Sequence, residues 1–192
     1  MIKIIDNCCS PIYLDCLKQV ALISANWNFN NPATFPIEDR FPKLEIFNNG
    51  VHQPLLAGLA LGLLYQIYEA SDRSLFIPDP MCFCGISIKD KHRTDNIHTD
   101  QEKNNNCVKI LGIINSDWKE EWGGGFFHNE TINYIKPTSF CIFDPSEPHS
   151  AAEIFTDKKR FVIDFTVFRD QQSLDNHMEK SGNKYNYQQT LA

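Results

Sequence analysis

Three patterns that assign many chains to a functional class are missing from this sequence. It has no Cys-x-x-Cys pair among its seven cysteines and no stripe of lysine and arginine. Acidic residues outnumber basic ones by 24 to 18, which gives a net charge of −6. Because sequence-independent nucleic-acid binding requires many cations against the phosphates, we expect no nucleic-acid partner.

The longest apolar run, Leu55 to Tyr65, is shorter than the roughly 20 residues that a membrane-spanning helix needs, so we expect a buried helix there and no membrane association.

The cysteines are odd in number and scattered along the chain, which favours reduced thiols over a disulfide framework. The first residues, Met1 to Asp6, form a short apolar segment typical of a strand and lack the architecture of a secretory signal. We therefore expect a cytoplasmic protein. Cys82 and Cys84 together with His92 could supply half of a zinc site, but no second pair of ligands matches them.

The first eighty residues have the features of helices joined by an irregular connection. Ser10 followed by Pro11 is typical of a helix start. A second helix is predicted from about Pro54 to Ala70. The stretch Asn26 to Asn49 is rich in asparagine and proline, so it is predicted to be irregular.

Short runs of β-branched and aromatic residues recur after Met81, separated by turn signals at intervals of about ten residues. This spacing favours an antiparallel sandwich or barrel. The predicted fold class is therefore mostly β with flanking helices (α+β). The predicted strands are Cys82 to Ile88, Cys107 to Ile114, Phe126 to His128, Ile132 to Ile135, Ser139 to Phe143, His149 to Phe155 and Arg160 to Phe168.

The length of the chain suits a single domain. We predict that this domain covers residues 1–169, with 1–80 as mainly helical support and 81–169 as the strand-rich core. Residues 170–192 are polar and lack apolar periodicity, so they are predicted to form a mobile tail or a frayed helix.

His98, Asp100 and His149 form the pattern with the clearest chemical meaning. Residues two apart in a strand point to the same face, so His98 and Asp100 can aim at one ion. His149 follows a turn and opens a later strand, whose end can lie close to that pair. Two imidazoles and one carboxylate can occupy one face of six-coordinate Fe(II) and leave positions for oxygen and a co-substrate. We therefore predict an iron site; the alternatives are a chance coincidence of three residues, or His128 in the place of His149.

The final strand supplies a cation that could bind an anionic ligand of the same site. One face of this strand is apolar and is predicted to pack against the helices. The other face carries Arg160, Val162 and Asp164 and is predicted to line a cavity. A guanidinium there can hold a carboxylate in a bidentate, charge-assisted pair. Alternatively, Arg160 is an ordinary surface charge within the basic run 158–160.

These residues resemble the Fe(II)- and 2-oxoglutarate-dependent dioxygenases, and in particular their prolyl 4-hydroxylase-like branch. The resemblance extends from about Ile97 to Phe168. The segments that carry it are Ile97-His98-Thr99-Asp100, Cys107 to Asn115 with Ser116-Asp117-Trp118, Trp122-Gly123-Gly124-Gly125-Phe126, Ser139 to Asp144 before Pro148-His149, and Arg160-Phe161-Val162-Ile163. Their order, approximate spacing and strand context all match the superfamily.

The resemblance implies a double-stranded β-helix, or cupin-like jelly roll, with supporting helices outside. It implies that His98, Asp100 and His149 bind Fe(II) and that Arg160 binds 2-oxoglutarate. It further implies that O2 converts 2-oxoglutarate to succinate and CO2 while an unactivated C–H bond is hydroxylated. The branch implies a peptidyl proline or another protein side chain as substrate. A free amino acid or another small molecule is the alternative.

The sequence departs from the branch at one position of the co-substrate site. Relatives often carry a tyrosine on the strand after His-x-Asp that helps to hold the distal carboxylate of 2-oxoglutarate. The corresponding residue here is Ile113, and its neighbour is Gly112. Asp164 could also pair with Arg160 and compete with the co-substrate. The missing phenol is compatible with a different class, a metal-binding jelly-roll module without oxygenase activity.

Overall fold

The computed structural model describes residues 2–24, 26–29, 41–80, 82–91, 95–100 and 106–180. These residues form ten strands, three α-helices and one short 3-10 helix, Glu120–Trp122. The strands are β1 (Lys3–Ile5), β2 (Asn28–Phe29), β3 (Pro42–Asn48), β4 (Phe83–Lys89), β5 (Cys107–Ile113), β6 (Phe126–His128), β7 (Thr131–Asn133), β8 (Phe140–Phe143), β9 (His149–Ala151) and β10 (Arg160–Phe168). The helices are α1 (Pro11–Ile23), α2 (Pro54–Ala70) and α3 (Gln171–Lys180).

The strands form two sheets. The major sheet has seven strands in the order β1-β8-β5-β10-β4-β3-β2, and the minor sheet has three in the order β7-β6-β9. Neighbouring strands pair in antiparallel fashion in both sheets. The prediction of a mostly β fold with flanking helices is therefore confirmed.

β10 separates a packed face of the major sheet from a cavity lined by charged and apolar side chains. It pairs with β5 on one edge and with β4 on the other. Its odd-numbered residues, from Phe161 to Val167, are buried in the main hydrophobic core together with α1 and α2. Arg160, Val162 and Asp164 on the opposite face line a cavity that also contacts the minor sheet. Because side chains alternate along a strand, the sequence of β10 produces both the face packed in the core and the face that lines the cavity, as predicted.

The helices α1 and α2 pack on the outer face of the major sheet. The hydroxyl of Ser10 caps α1 by accepting a hydrogen bond from the backbone N–H of Tyr13 at 3.2 Å. Tyr13 in turn donates its phenol hydrogen to the carbonyl of Leu59 in α2 at 2.6 Å. Gly62 leaves room for that phenol, since a Cβ at this position would lie 2.5 Å from the hydroxyl oxygen. None of the described helices combines the length and the hydrophobicity that a bilayer crossing requires.

The stretch predicted to be an irregular connection contains a strand of the major sheet, so that prediction was wrong for β3. Leu44 and Ile46 are fully buried at alternate positions and pack in the core. Pro42 stands at the first residue of the strand, where a missing N–H is tolerated. The two helices predicted in residues 1–80 are present as α1 and α2, and β1, β2 and β3 of the same part of the chain belong to the sheet. Residues 30–40 lie outside the described part of the chain.

The start of the predicted C-terminal tail is a helix. Asp170 accepts a hydrogen bond from the backbone N–H of Ser173 at 2.8 Å at the beginning of α3. Leu174 is buried against Cys107 of β5 and Phe168 of β10, which holds the helix on the sheet. Of the two alternatives for this segment, a helix applies to residues 171–180, and residues 181–192 lie outside the described residues.

Candidate metal centre

The three residues predicted to bind metal converge at the edge of the minor sheet. His98 and His149 form an antiparallel bridge, and Asp100 is held by a hydrogen bond from its backbone N–H to the carbonyl of Pro145 at 2.9 Å. One ligand atom from each of the three side chains lies within 4.8 Å of those of the other two. Nε2 of His98 is 3.5 Å from Oδ1 of Asp100, and Nε2 of His149 is 3.3 Å from its Oδ2. The structure thus brings the three side chains together; their role as metal ligands stays a prediction.

Both imidazoles have the orientation that a metal ligand needs. Nδ1 of His98 lies 2.8 Å from the carbonyl oxygen of Asn96, and Nδ1 of His149 lies 2.8 Å from the carbonyl oxygen of Glu147. A carbonyl oxygen only accepts hydrogen bonds, so Nδ1 carries the proton in each ring. In the neutral ring Nε2 then presents a lone pair, and both lone pairs point towards Asp100. Such a carbonyl partner commonly fixes the tautomer of histidine ligands. The donor set of two imidazole nitrogens and one carboxylate therefore fits a divalent metal such as Fe(II).

The centre is open to solvent on one side. The side chain of His149 is 5% exposed, whereas those of His98 and Asp100 are 39% and 26% exposed. Phe126 and Phe143 contact the ring of His149 with centroids 5.8 and 4.8 Å away. A ligand can therefore approach from the side of His98, while aromatic rings keep water from His149.

Sequence analysis did not identify Lys109, a largely buried lysine that adjoins the centre. Lys109 on β5 forms ion pairs with Oδ2 of Asp100 and, at 3.2 Å, with Oδ2 of Asp164. Burial by itself would raise the pKa of Asp100, but a hydrogen bond from the doubly protonated form of His149 and the Lys109 ammonium outweigh it and hold that pKa well below its usual range. Burial would lower the pKa of Lys109, yet Asp164 and Asp100 together raise it. Asp164 thus pairs with Lys109 rather than with Arg160.

Arg160 is the first residue of β10, whereas Lys109 lies on β5 opposite Thr166, near the other end of β10. Arg160 is buried, so it is not a surface charge. Its Nη1 donates a hydrogen bond to the carbonyl of Gly124. Its buried Nε has no hydrogen-bond partner among the described residues. Burial lowers the pKa of Arg160 to about 10, an effect that the nearby Asp95 partly offsets. Lys89 stands directly opposite Arg160 on β4, lines the same cavity and forms an ion pair with Asp95.

The cavity that joins these groups has a volume of about 240 Å³. Its described lining includes more cations than carboxylates, so it has one net positive charge before any metal binds. Ile113 also lines the cavity, at the position where relatives of the prolyl 4-hydroxylase-like branch often carry a tyrosine. The charged lining residues are Lys43, Lys89, Lys109 and Arg160 against Asp95, Asp100 and Asp164.

The other histidines that the structure describes do not join the centre. His128 is buried beside it, but its Nε2 lies 2.6 Å from a carboxylate oxygen of Glu147, so it does not replace His149. His52 is exposed. His177 is half-buried because α3 docks against the sheet, and its Nε2 lies 2.7 Å from the Asn49 side-chain oxygen. His92, the third member of the possible zinc site, lies outside the described residues.

The tryptophans near the glycine run pack rather than line the cavity. Trp118 is 3% exposed, belongs to a small core cluster with Ile113 and Val162, and donates its indole N–H to the carbonyl of Gly123 at 3.1 Å. Trp122 contacts it edge to face with centroids 5.5 Å apart. Both therefore stabilise the turn before β6.

Comparison with models of protein families gives no match, and neither does comparison with curated protein sequences. Solved structures do match. A Pseudomonas putida prolyl-4-hydroxylase has a TM-score of 0.62 at 14% identity, over 88% of this chain and 92% of that one. A Trichoplax adhaerens prolyl hydroxylase, solved with a peptide of the hypoxia inducible factor oxygen degradation domain, has a TM-score of 0.63 at 12% identity, over 90% and 86%. HygX from Streptomyces hygroscopicus, solved with nickel, 2-oxoglutarate and hygromycin B, has a TM-score of 0.59 at 12% identity, over 86% and 81%.

At these identities the likeness establishes the fold. The chain has the jelly-roll fold of the 2-oxoglutarate and Fe(II) oxygenases, with two antiparallel sheets and three helices among the described residues. The fold that the sequence resemblance implied is confirmed.

Proposed function

We propose that this protein is an Fe(II)- and 2-oxoglutarate-dependent dioxygenase that hydroxylates an unactivated C–H bond. The observation that carries the proposal is the orientation of the two imidazoles. His98 and His149 each use Nδ1 on a backbone carbonyl and turn Nε2 towards Asp100. Two lone pairs and a carboxylate facing one another are unfavourable unless a cation or protons lie between them. A divalent metal satisfies all three, and one face of its coordination sphere is left for other ligands.

The co-substrate would lie between the metal ligands and Arg160. A dicarboxylate suits this cavity because the described lining is already positive and a bound metal adds two further charges. Arg160 would hold the distal carboxylate through its buried guanidinium, whose Nε has no partner among the described side chains. Lys89, opposite Arg160 on β4, would add a second positive charge near that carboxylate. This arrangement would compensate for the missing phenol at Ile113.

The residues of the chain would bind, orient and exclude water. Bound Fe(II) and 2-oxoglutarate would supply the oxidation by O2 that releases succinate and CO2 and hydroxylates the substrate. Leu111, Ile113 and Phe126 form apolar parts of the cavity wall and would limit the access of water to the reacting atoms. The exposed side of His98 would receive the substrate.

We propose a peptidyl proline or another protein side chain as the substrate. The sequence resemblance to the prolyl 4-hydroxylase-like branch and the similarity to prolyl hydroxylases, one of them solved with a peptide, support this choice. A small molecule is the second candidate, and the comparable similarity to HygX, solved with hygromycin B, favours it.

The experiment that tests the proposal has two parts. The purified protein is first mixed anaerobically with Fe(II) and 2-oxoglutarate, and a weak visible charge-transfer band is expected. Arg160→Ala should abolish this band at modest 2-oxoglutarate concentration. The absence of a band in the unmodified protein at saturating co-substrate would instead favour a non-catalytic metal-binding module.

Substrate class is tested by following succinate release in the presence of O2. A panel of proline-containing peptides is compared with free amino acids and other small molecules. Turnover with small molecules but with no peptide would overturn the protein side-chain assignment and leave the dioxygenase assignment standing.

A further inference from the structure

Lys109 places an ammonium group directly against a candidate metal ligand. Its Nζ forms an ion pair with Oδ2 of Asp100, and its side chain is only 13% exposed. The second partner of that ammonium is Asp164 on β10, with Nζ and Oδ2 3.2 Å apart. The three side chains thus form a continuous row, Asp164–Lys109–Asp100, that ends at the candidate metal centre.

A cation in this position is unfavourable for metal binding on charge alone. An ammonium group repels a divalent metal, and the repulsion is stronger where solvent is excluded. Asp164 reduces this effect, because together with Lys109 it forms a pair without net charge. A lysine that had no role at the centre would still be expected to weaken metal binding.

The position of Asp100 explains what such a lysine can contribute. Asp100 lies outside the regular strands, and in the described part of the chain its backbone N–H donates a hydrogen bond to the carbonyl of Pro145. Its carboxylate has two oxygens, although a face made with two histidines requires only one. Lys109 instead projects from β5, which is paired on both edges by β8 and β10. A rigid central strand therefore carries the group that contacts Oδ2 of Asp100, while Oδ1 faces His98 at 3.5 Å.

We propose that Lys109 is a positioning residue of the metal centre, with Asp164 as its counter-ion. It holds Asp100 by Oδ2 and leaves Oδ1 to bind the metal as a single-oxygen ligand. This inference rests on the proposed metal site. Residues that hydrogen-bond a ligating carboxylate commonly contribute 10- to 100-fold to metal affinity.

The sign of one substitution tests the proposal. Lys109→Met removes a positive charge next to a divalent metal, so electrostatics alone predicts tighter binding. The positioning role predicts the opposite, a loss of about 10- to 100-fold in the affinity for Co(II). Affinity is measured anaerobically by titration calorimetry, and the visible d–d bands of bound Co(II) report the coordination geometry. We expect the bands to change in Lys109→Met, because Asp100 is free to bind through both oxygens.

Two further variants keep the test decisive. Lys43→Met removes another cation of the same cavity that has no contact with the three ligands in the described structure, so its Co(II) affinity should equal or exceed that of the unmodified protein. If Lys109→Met does not fold because the half-buried Asp164 is left without its partner, the double substitution Lys109→Met/Asp164→Asn removes that charge and should show the same loss. Co(II) binding by the folded variant that is equal to or tighter than that of the unmodified protein overturns the positioning role. No Co(II) binding by the unmodified protein overturns the proposed metal site itself.

Discussion

His98 and His149 each donate a backbone N–H to the carbonyl of the other, at 3.0 and 2.9 Å. This pairing sets their ring centroids 4.7 Å apart. The bridge is made by the main chain and fixes the separation of the two backbones, and the contacts of each Nδ1 with a backbone carbonyl fix the orientation of the rings. The candidate centre is therefore built before any ion arrives.

Removal of one imidazole should abolish metal binding without unfolding the protein. In His149→Ala the backbone bridge to His98 and the pairing of β9 with β6 remain, so the sheet is retained. We expect the affinity for Co(II) to fall by more than about tenfold, and the metal content after dialysis at limiting Co(II) to fall with it, because losing a ligand costs more than losing a residue that supports one. Metal analysis and circular dichroism check the two parts. The exposed His52→Ala is the matched control and should keep full metal content.

Gly124 should be intolerant of a side chain. Its φ of +73° is unfavourable for other residues, and a Cβ would lie 2.7 Å from Nη1 of Arg160. Gly124→Ala should therefore lose about 1–2 kcal/mol of unfolding free energy and also bind 2-oxoglutarate more weakly, because the guanidinium is displaced. Urea denaturation and calorimetry measure the two effects.

Gly58 in α2 provides the control for that substitution. A Cβ there would meet nothing within 4 Å, so Gly58→Ala should raise the unfolding free energy by about 0.5–1 kcal/mol. If Gly124→Ala proved as stable as Gly58→Ala, the close contact between Gly124 and Arg160 would be refuted.

The absence of a phenol at Ile113 can be tested by a pair of substitutions. Ile113→Tyr and Ile113→Phe introduce rings of nearly the same size into the cavity wall, so any cost of overpacking is shared. The hydroxyl can donate to the distal carboxylate of 2-oxoglutarate, and a hydrogen bond to a charged group is worth about 1.5–3 kcal/mol. The Tyr variant should bind 2-oxoglutarate roughly tenfold more tightly than the Phe variant. Equal affinities would mean that the carboxylate does not reach this wall.

The cysteines should differ in reactivity. Cys16 is exposed, whereas burial raises the pKa of Cys9 and of Cys82 to about 11. Since the thiolate is the reactive form, a raised pKa leaves little of it at pH 8 and the fraction grows only as the pH rises towards 11. With iodoacetamide at pH 8, mass spectrometry of the native protein should find Cys16 alkylated first. Rapid labelling of Cys82 at that pH would contradict the described burial.

The strands that form the cavity were accessible to sequence analysis because their patterns are local. In β10, alternation at period two separates the core face from the face that carries Arg160, and the structure has the same two faces. β3 was missed because asparagines and prolines around it outweighed the alternation of Leu44 and Ile46. Tertiary pairing with β4, rather than local propensity, makes that segment a strand.

The row Asp164–Lys109–Asp100 could not be predicted from the sequence. Lys109 stands in an apolar strand as a single polar residue, and nothing local indicates which acids it meets. Its neighbours depend on the register of β5 with β10, in which Lys109 is opposite Thr166 and Asp164 is opposite Leu111.

In the described structure, the main chain of residues 95–100 forms a few hydrogen bonds with the main chain of the rest of the fold, at Ala151, His149 and Pro145. A metal held by His98, Asp100 and His149 would add a cross-link between this segment and β9. Occupancy of the centre would then govern the resistance of residues 95–100 to proteases. Removal of the ion by a chelator would therefore loosen the attachment of residues 95–100 to the fold and would also reduce the proposed activity.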